Sequence, residues 1–295
     1  MARWWLVAVT LLGPAALASP IAAAPPCLEH DIAPGVPAPT ALRPSAPQTE
    51  IIDAIASVIR DALGLPFAKS HTAYICGDEV AFTEGLLRNF GVGAIGGDWS
   101  IAPSAAGIAT RVGVFLRDDF LTRVTLHRRA TVITHELAHL SQQELTGQRE
   151  DRLPVWMLEG HADWVAFQVL DRLGLRTYDE SRAVVARSVA GAVTPVEHFP
   201  DLDALAGHAT WNRSVRSLAA TYGQAFLAVE FLIERSGHAA LVKFLGSAAE
   251  AGDPRDRWRE AFSTSYREFA NDFRAHLKNM GRPATGPTID PMSSR

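Results

Sequence analysis

The chain is short of cysteine, carries no surplus of positive charge, and lacks a long unbroken apolar run. Each shortage narrows the field. Only Cys27 and Cys76 occur in 295 residues. That excludes a disulfide-dense scaffold and a structural zinc site built mainly of cysteine. Lysine and arginine number 28 against 32 aspartates and glutamates, a net charge of −4. No basic field therefore argues for nucleic acid as a partner. The apolar run from Trp4 to Leu12 is too short to span a bilayer comfortably, and Gly13-Pro14 ends it. Internal repeats are also missing.

What remains is an ordinary globular composition, 47% apolar and 20% charged. The length allows one large domain or two lobes sharing a cleft. Arg3, the apolar run and the small residues Ala16-Leu17-Ala18 follow the pattern of a secretory signal peptide, expected over residues 1–24. An uncleaved anchor is the alternative. The expectation is an exported chain, periplasmic or extracellular, with no stable membrane span after cleavage. Two cysteines in such a chain fit one disulfide, Cys27 to Cys76, or two free thiols.

Residues 25–48, rich in Pro and Ala, read as an extended linker. A main domain is expected over 49–280 and a disordered tail over 281–295. A short helix is expected from Glu50 to Leu63. Residues 70–127 look strand-rich, with "TAYICG", "RVGVFLRDD" and "RVTLH" as candidate strands. From Thr131 the pattern turns helical. Helices are expected near 131–146, 155–173, 178–190, 217–236, 238–250, 255–262 and 265–279, the last opened by a Ser265/Glu268 capping box. Strands first and helices later indicate an α+β fold.

"HELAH" places His135 and His139 four residues apart, on one face of a helix, where two imidazoles reach one ion. Glu136 flanks the same site and is the candidate general base. Val132, Ile133, Leu137 and Leu140 would bury the remaining sides. Glu159 follows His139 by twenty residues, in "LPVWMLEGHADWVAFQVL". A carboxylate there completes a two-His-one-Glu set with a fourth position open. Pro154 suits the start of that helix, and Gly160 would let the "HELAH" helix approach closely. Asp163, one turn beyond Glu159, is placed to accept the free ring N–H of His135. His161 points away from Glu159's face and is left out of the site.

"HELAH" followed by "WMLEGHADW" resembles the gluzincin clan: thermolysin, the zinc aminopeptidases and the peptidase MA-like proteins. Trp156, Glu159, Gly160, Ala162 and Trp164 match the aminopeptidase pattern, while the His139–Glu159 spacing and Asp163 match thermolysin. "AATYGQAFLAVEFLIERSG" is similar to the helix bearing the catalytic tyrosine, which would give Tyr222 the support of an oxyanion. His208 is the weaker candidate for that role. The resemblance covers roughly residues 110–280. It implies a zincin-like arrangement, with a strand-rich N-terminal lobe, a helical C-terminal lobe and one Zn²⁺ in the cleft between them. It also implies a peptide or protein substrate.

One departure concerns specificity. "GVGAIGGDW", Gly91 to Trp99, is glycine-rich but lacks the Met and Asn of the aminopeptidase strand that binds a substrate's amino terminus. It reads as a loop over the cleft or a turn between strands. An endopeptidase is therefore the expectation. The rivals are a zinc amidase acting on cell-wall amides and a non-catalytic zinc-binding protein. In a further variant, residues 28–48 shield the cleft and Cys27 caps the metal. Asn212-Arg-Ser is a formal glycosylation sequon, discounted because the residue usage looks bacterial.

Overall fold

The computed structural model describes residues 27–33, 41–67, 71–94 and 105–280. The expected signal peptide, part of the linker, Ile95–Trp99 and the tail lie outside them. Strand β1 (Leu28–Asp31) precedes helix α1 (Gln48–Ser57), whose last turn widens into a π-helical turn over Val58–Ala62. Then come β2 (Thr72–Cys76), α2 (Glu79–Ala94), β3 (Gly107–Thr110) and β4 (Gly113–Arg117). The rest is helical: α3 (Asp118–Leu121), α4 (Leu126–Thr146), α5 (Val155–Arg172), α6 (Tyr178–Ala190) and α7 (His208–Ser217). It closes with α8 (Thr221–Ser236), α9 (His238–Gly246), α10 (Pro254–Phe262) and α11 (Tyr266–Met280). The fold is α+β, mostly helical with one small mixed sheet.

Among the described residues the sheet has the order β1-β2-β4-β3. Strand β2 pairs antiparallel with β1 and parallel with β4, and β3 closes the other side antiparallel to β4. The register sets Leu28 opposite Ile75, which brings Cys27 and Cys76 side by side, and the two are joined in a disulfide. The segment read as a linker thus contributes a strand. It also contributes Ile32, Leu42 and Ala46 to the core, because apolar residues between the prolines find a packed surface.

Two further differences from the sequence reading have local causes. Glu79–Ala94 is helical, not strand, because Ala81, Phe82 and Leu86 share a face that packs against Cys76 and Phe115. Gly91–Ala94 therefore belong to the end of α2 and are not a loop. "RVTLH" is not a strand either. Thr125, with extended backbone, caps α4, which starts at Leu126.

Helix α5 is the central element. Trp156, Val165 and Val169 are fully buried, as are Ile133, Leu137 and Leu140 of α4 and Phe226 and Val229 of α8. A Cβ on Gly160 would lie 2.3 Å from the Ala225 carbonyl oxygen and 2.9 Å from Val229. The close neighbour at Gly160 is therefore α8, not the "HELAH" helix. The long helix expected over 217–236 is shortened at its start. Leu218–Ala220 turn, and the Thr221 hydroxyl bonds to the Leu218 carbonyl and to Ser214, separating α7 from α8. The Ser265/Glu268 capping box is present in both directions.

Candidate metal centre

Helices α4 and α5 follow one another and pack together, so the residues of "HELAH" meet those of "EGHAD". His135 Nε2 lies 3.2 Å from Glu159 Oε2 and 3.2 Å from His139 Nε2, and His139 Nε2 is 3.8 Å from the same carboxylate oxygen. Tetrahedral bonds of ~2.0–2.1 Å put neighbouring ligand atoms ~3.3 Å apart. The three atoms therefore fit a single ion without rearrangement. His135, His139 and Glu159 form the one group of three or more His, Cys, Asp or Glu, among the described residues, that could hold a metal. Their side chains are 14–19% exposed, deep but open to solvent.

Each imidazole is oriented from behind. His135 Nδ1 donates to Asp163 Oδ1 at 2.9 Å, leaving its Nε2 for the metal position. His139 Nδ1 donates to Gln142 Oε1 at 2.8 Å. Gln142 escaped the sequence reading. Its only signal was its place one turn beyond His139, a spacing that any helical residue there shares.

The electrostatics follow from this crowding. Burial alone would lower the His135 pKa, but hydrogen bonds and charge from Asp163 and Glu159 overcome it and raise it well above the ordinary value. Burial also works against ionised Glu159, yet His135 and His139 hold its carboxyl below the usual range. Glu136 is pushed the other way, chiefly by burial. A Cβ on Gly107 would come within 2.7 Å of Glu136 Cγ, so strand β3 lies directly against that side chain.

Tyr222 stands on the other wall, its ring centroid 6.0 Å from that of His135. The buried Trp211 indole lies edge-on to it, with ring centroids 5.2 Å apart. The negative charge of Glu159, then burial, then Asp163 and Glu136 raise the phenol's pKa, so it stays a donor. His208, at the start of α7, is exposed but close enough to act electrostatically on Glu159.

His161 points away from the ion position into a buried pair. His161 Nε2 and His238 Nε2 are 3.1 Å apart, and Trp164 stacks on both rings. Burial depresses the two pKa values to about 3 and about 4, so both rings are neutral at physiological pH.

A groove of about 1020 Å³ lies elsewhere, lined by Phe199, Leu202, Trp258, Tyr266 and Arg274 among others, and includes none of the candidate ligands. No helix of the described residues is long and apolar enough to cross a membrane. Comparison with protein-family models, with curated proteins and with solved structures finds no match for the chain.

Proposed function

We propose that the protein is an exported zinc metallopeptidase, acting on internal bonds of peptides. The observation that carries this reading is the convergence of His135, His139 and Glu159 on one point with Glu136 beside it. The cluster offers three ligands, and among the described residues no fourth His, Cys, Asp or Glu joins it. A structural zinc site normally closes with four. The donor set of two imidazoles and a carboxylate suits Zn²⁺. The disulfide between Cys27 and Cys76 favours an oxidising compartment.

Bound zinc would supply a Lewis acid and a water acidified to near neutrality. Glu136, whose raised pKa makes it a better proton acceptor, takes the proton of the attacking water and delivers it to the leaving amine. Tyr222 donates its hydroxyl hydrogen to the oxygen that becomes negative as the carbonyl is attacked. Trp211, packed edge-on, holds the ring in place. Strand β3 is the end strand of the sheet among the described residues, and it runs alongside Glu136. An extended peptide paired to its outer edge by main-chain hydrogen bonds would pass its carbonyls in front of the base. A zincin-like division into two lobes, with this site between strand β3 and helices α4, α5 and α8, belongs to the same reading.

The test uses chain from about Ser19 onward, loaded with zinc, on an unbiased peptide library read by mass spectrometry. Glu136→Gln serves as the blank. Internal cleavage by wild type alone supports the endopeptidase. Trimming from amino ends would replace it with an exopeptidase. Zinc-loaded protein that cuts no peptide would overturn the peptidase reading and favour a non-peptide amide or a binding role.

A further inference from the structure

Gln142 is 1% exposed, and both ends of its side-chain amide are hydrogen-bonded. Its amide oxygen faces His139 Nδ1 at 2.8 Å. Its amide nitrogen donates to the Leu158 carbonyl at 2.8 Å and faces His161 Nδ1 at 3.2 Å. An amide oxygen only accepts and an amide nitrogen only donates. The carbonyl of Leu158 settles which end of the amide is which.

The protons along the chain are then determined one after another. His139 must carry its proton on Nδ1, which leaves the Nε2 lone pair facing His135 and Glu159. His161 Nδ1 must accept, so its proton sits on Nε2 and is donated to His238 Nε2 at 3.1 Å. His238 closes the chain as a neutral acceptor whose ring is stacked on Trp164, with centroids 4.3 Å apart. The contacts of Gln142 with His139, Leu158 and His161 are all matched in one amide orientation only. Reversing the Gln142 amide would set donor against donor at His139 and leave Leu158 facing an acceptor.

We propose that Gln142 is a positioning residue, locked by Leu158 and the His161–His238 pair, that fixes His139 in the tautomer presenting Nε2 to the metal. The inference rests on the metal reading above. It gives the two ligand histidines different supports. His135 leans on a carboxylate. His139 leans on a neutral amide whose direction is set by the Leu158 carbonyl and matched by two histidines that touch no ligand atom. His161 and His238 are thereby assigned a purpose that the ligand set alone does not give them.

The test reads tautomers directly. The chain from about Ser19, labelled with ¹⁵N at histidine and kept metal-free near pH 8, is examined by long-range ¹⁵N–¹H correlation. The expected pattern is Nδ1–H at His139 and Nε2–H at His161, with assignments from His139→Gln and His161→Gln. Finding Nδ1–H at His161 overturns the proposal, since the amide could not then donate to it. The second arm measures zinc affinity of Gln142→Leu by chelator competition, with circular dichroism as the check on folding. A loss of ~10–100-fold is expected, together with a mixed tautomer signal at His139. Unchanged affinity with an unchanged tautomer overturns it. If Gln142→Leu does not fold, the wild-type spectrum alone decides. If wild type binds no zinc, the metal reading fails, while the histidine pattern still reports on the amide lock.

Discussion

Asp163 accepts the Nδ1 proton of His135 across 2.9 Å, and in doing so one carboxylate of α5 sets the direction of a ring on α4. Replacing Asp163 with Ala should leave the fold intact, because the side chain lies at the open site and supports no core packing. It should weaken zinc binding by ~10–100-fold. Metal content after dialysis against a graded chelator series checks this. An affinity equal to wild type would mean that helix packing alone orients His135.

Glu136→Gln separates metal binding from chemistry. The amide cannot accept the water's proton, and it leaves the three ligands untouched. Zinc content should match wild type while turnover falls by at least ~10²–10⁴-fold. Elemental analysis and a cleavage assay on the same sample provide both numbers. Cleavage near the wild-type rate would remove Glu136 from the mechanism.

Tyr222→Phe deletes one hydroxyl and keeps the ring that packs edge-on against Trp211. The loss should fall on kcat, by ~10²–10³-fold, with KM little changed. A change confined to KM would make Tyr222 a wall of the substrate groove and would return His208 to consideration.

Gly160→Ala gives opposite signs for two effects. Helix propensity alone would favour alanine by ~1 kcal/mol. The added methyl, however, would meet the Ala225 carbonyl oxygen at 2.3 Å, and backbone cannot step aside as a side-chain end can. We expect net destabilisation of ~1–3 kcal/mol, together with weaker zinc binding because Glu159 is the preceding residue. Urea unfolding of the metal-free protein measures the first part. A more stable variant would contradict the close packing of α5 on α8.

His238 predicts a pH dependence. Burial lowers its pKa in the folded protein to about 4, from an ordinary value of 6.5. Below that ordinary value the unfolded chain takes up a proton that the native state refuses. Stability from this group is complete above pH ~6.5 and is lost as pH falls towards about 4, with a slope of up to ~1.4 kcal/mol per pH unit. His238→Phe keeps the stacking on Trp164 and removes the titration. The stability advantage of metal-free wild type over this variant should therefore shrink between pH 6.5 and 4. A constant difference across that range would place the His238 ring in water.

The parts of this site that could be read in the sequence are those fixed by helical spacing. Two histidines four apart, and an acid four residues before another acid, specify faces of helices without reference to any neighbour. The core positions of α4 followed from the same periodicity. The helix α2 did not, because a buried face of Ala, Phe and Leu beside glycines resembles a buried strand until its partners Phe115 and Cys76 are known. Gln142 and His238 were invisible for a related reason. Their roles depend on which polar atom faces which across separate helices, and sequence order carries no such information. Gly160 was read as a contact glycine, but which helix it admits is a property of the packed bundle.

The ligands lie on consecutive helices, with His135 and Glu159 only 24 positions apart, whereas the disulfide of the sheet closes a separation of 49 residues. Closing the shorter loop costs less chain entropy, and contacts local in sequence form early. The three-ligand cluster is therefore local to the α4–α5 hairpin and does not depend on the longer closure made in the sheet. Glu136 depends on more than the hairpin, because strand β3 lies directly against its side chain. The candidate ligands thus belong to one local unit of the chain, whereas the surroundings of Glu136 are shared between that unit and the sheet.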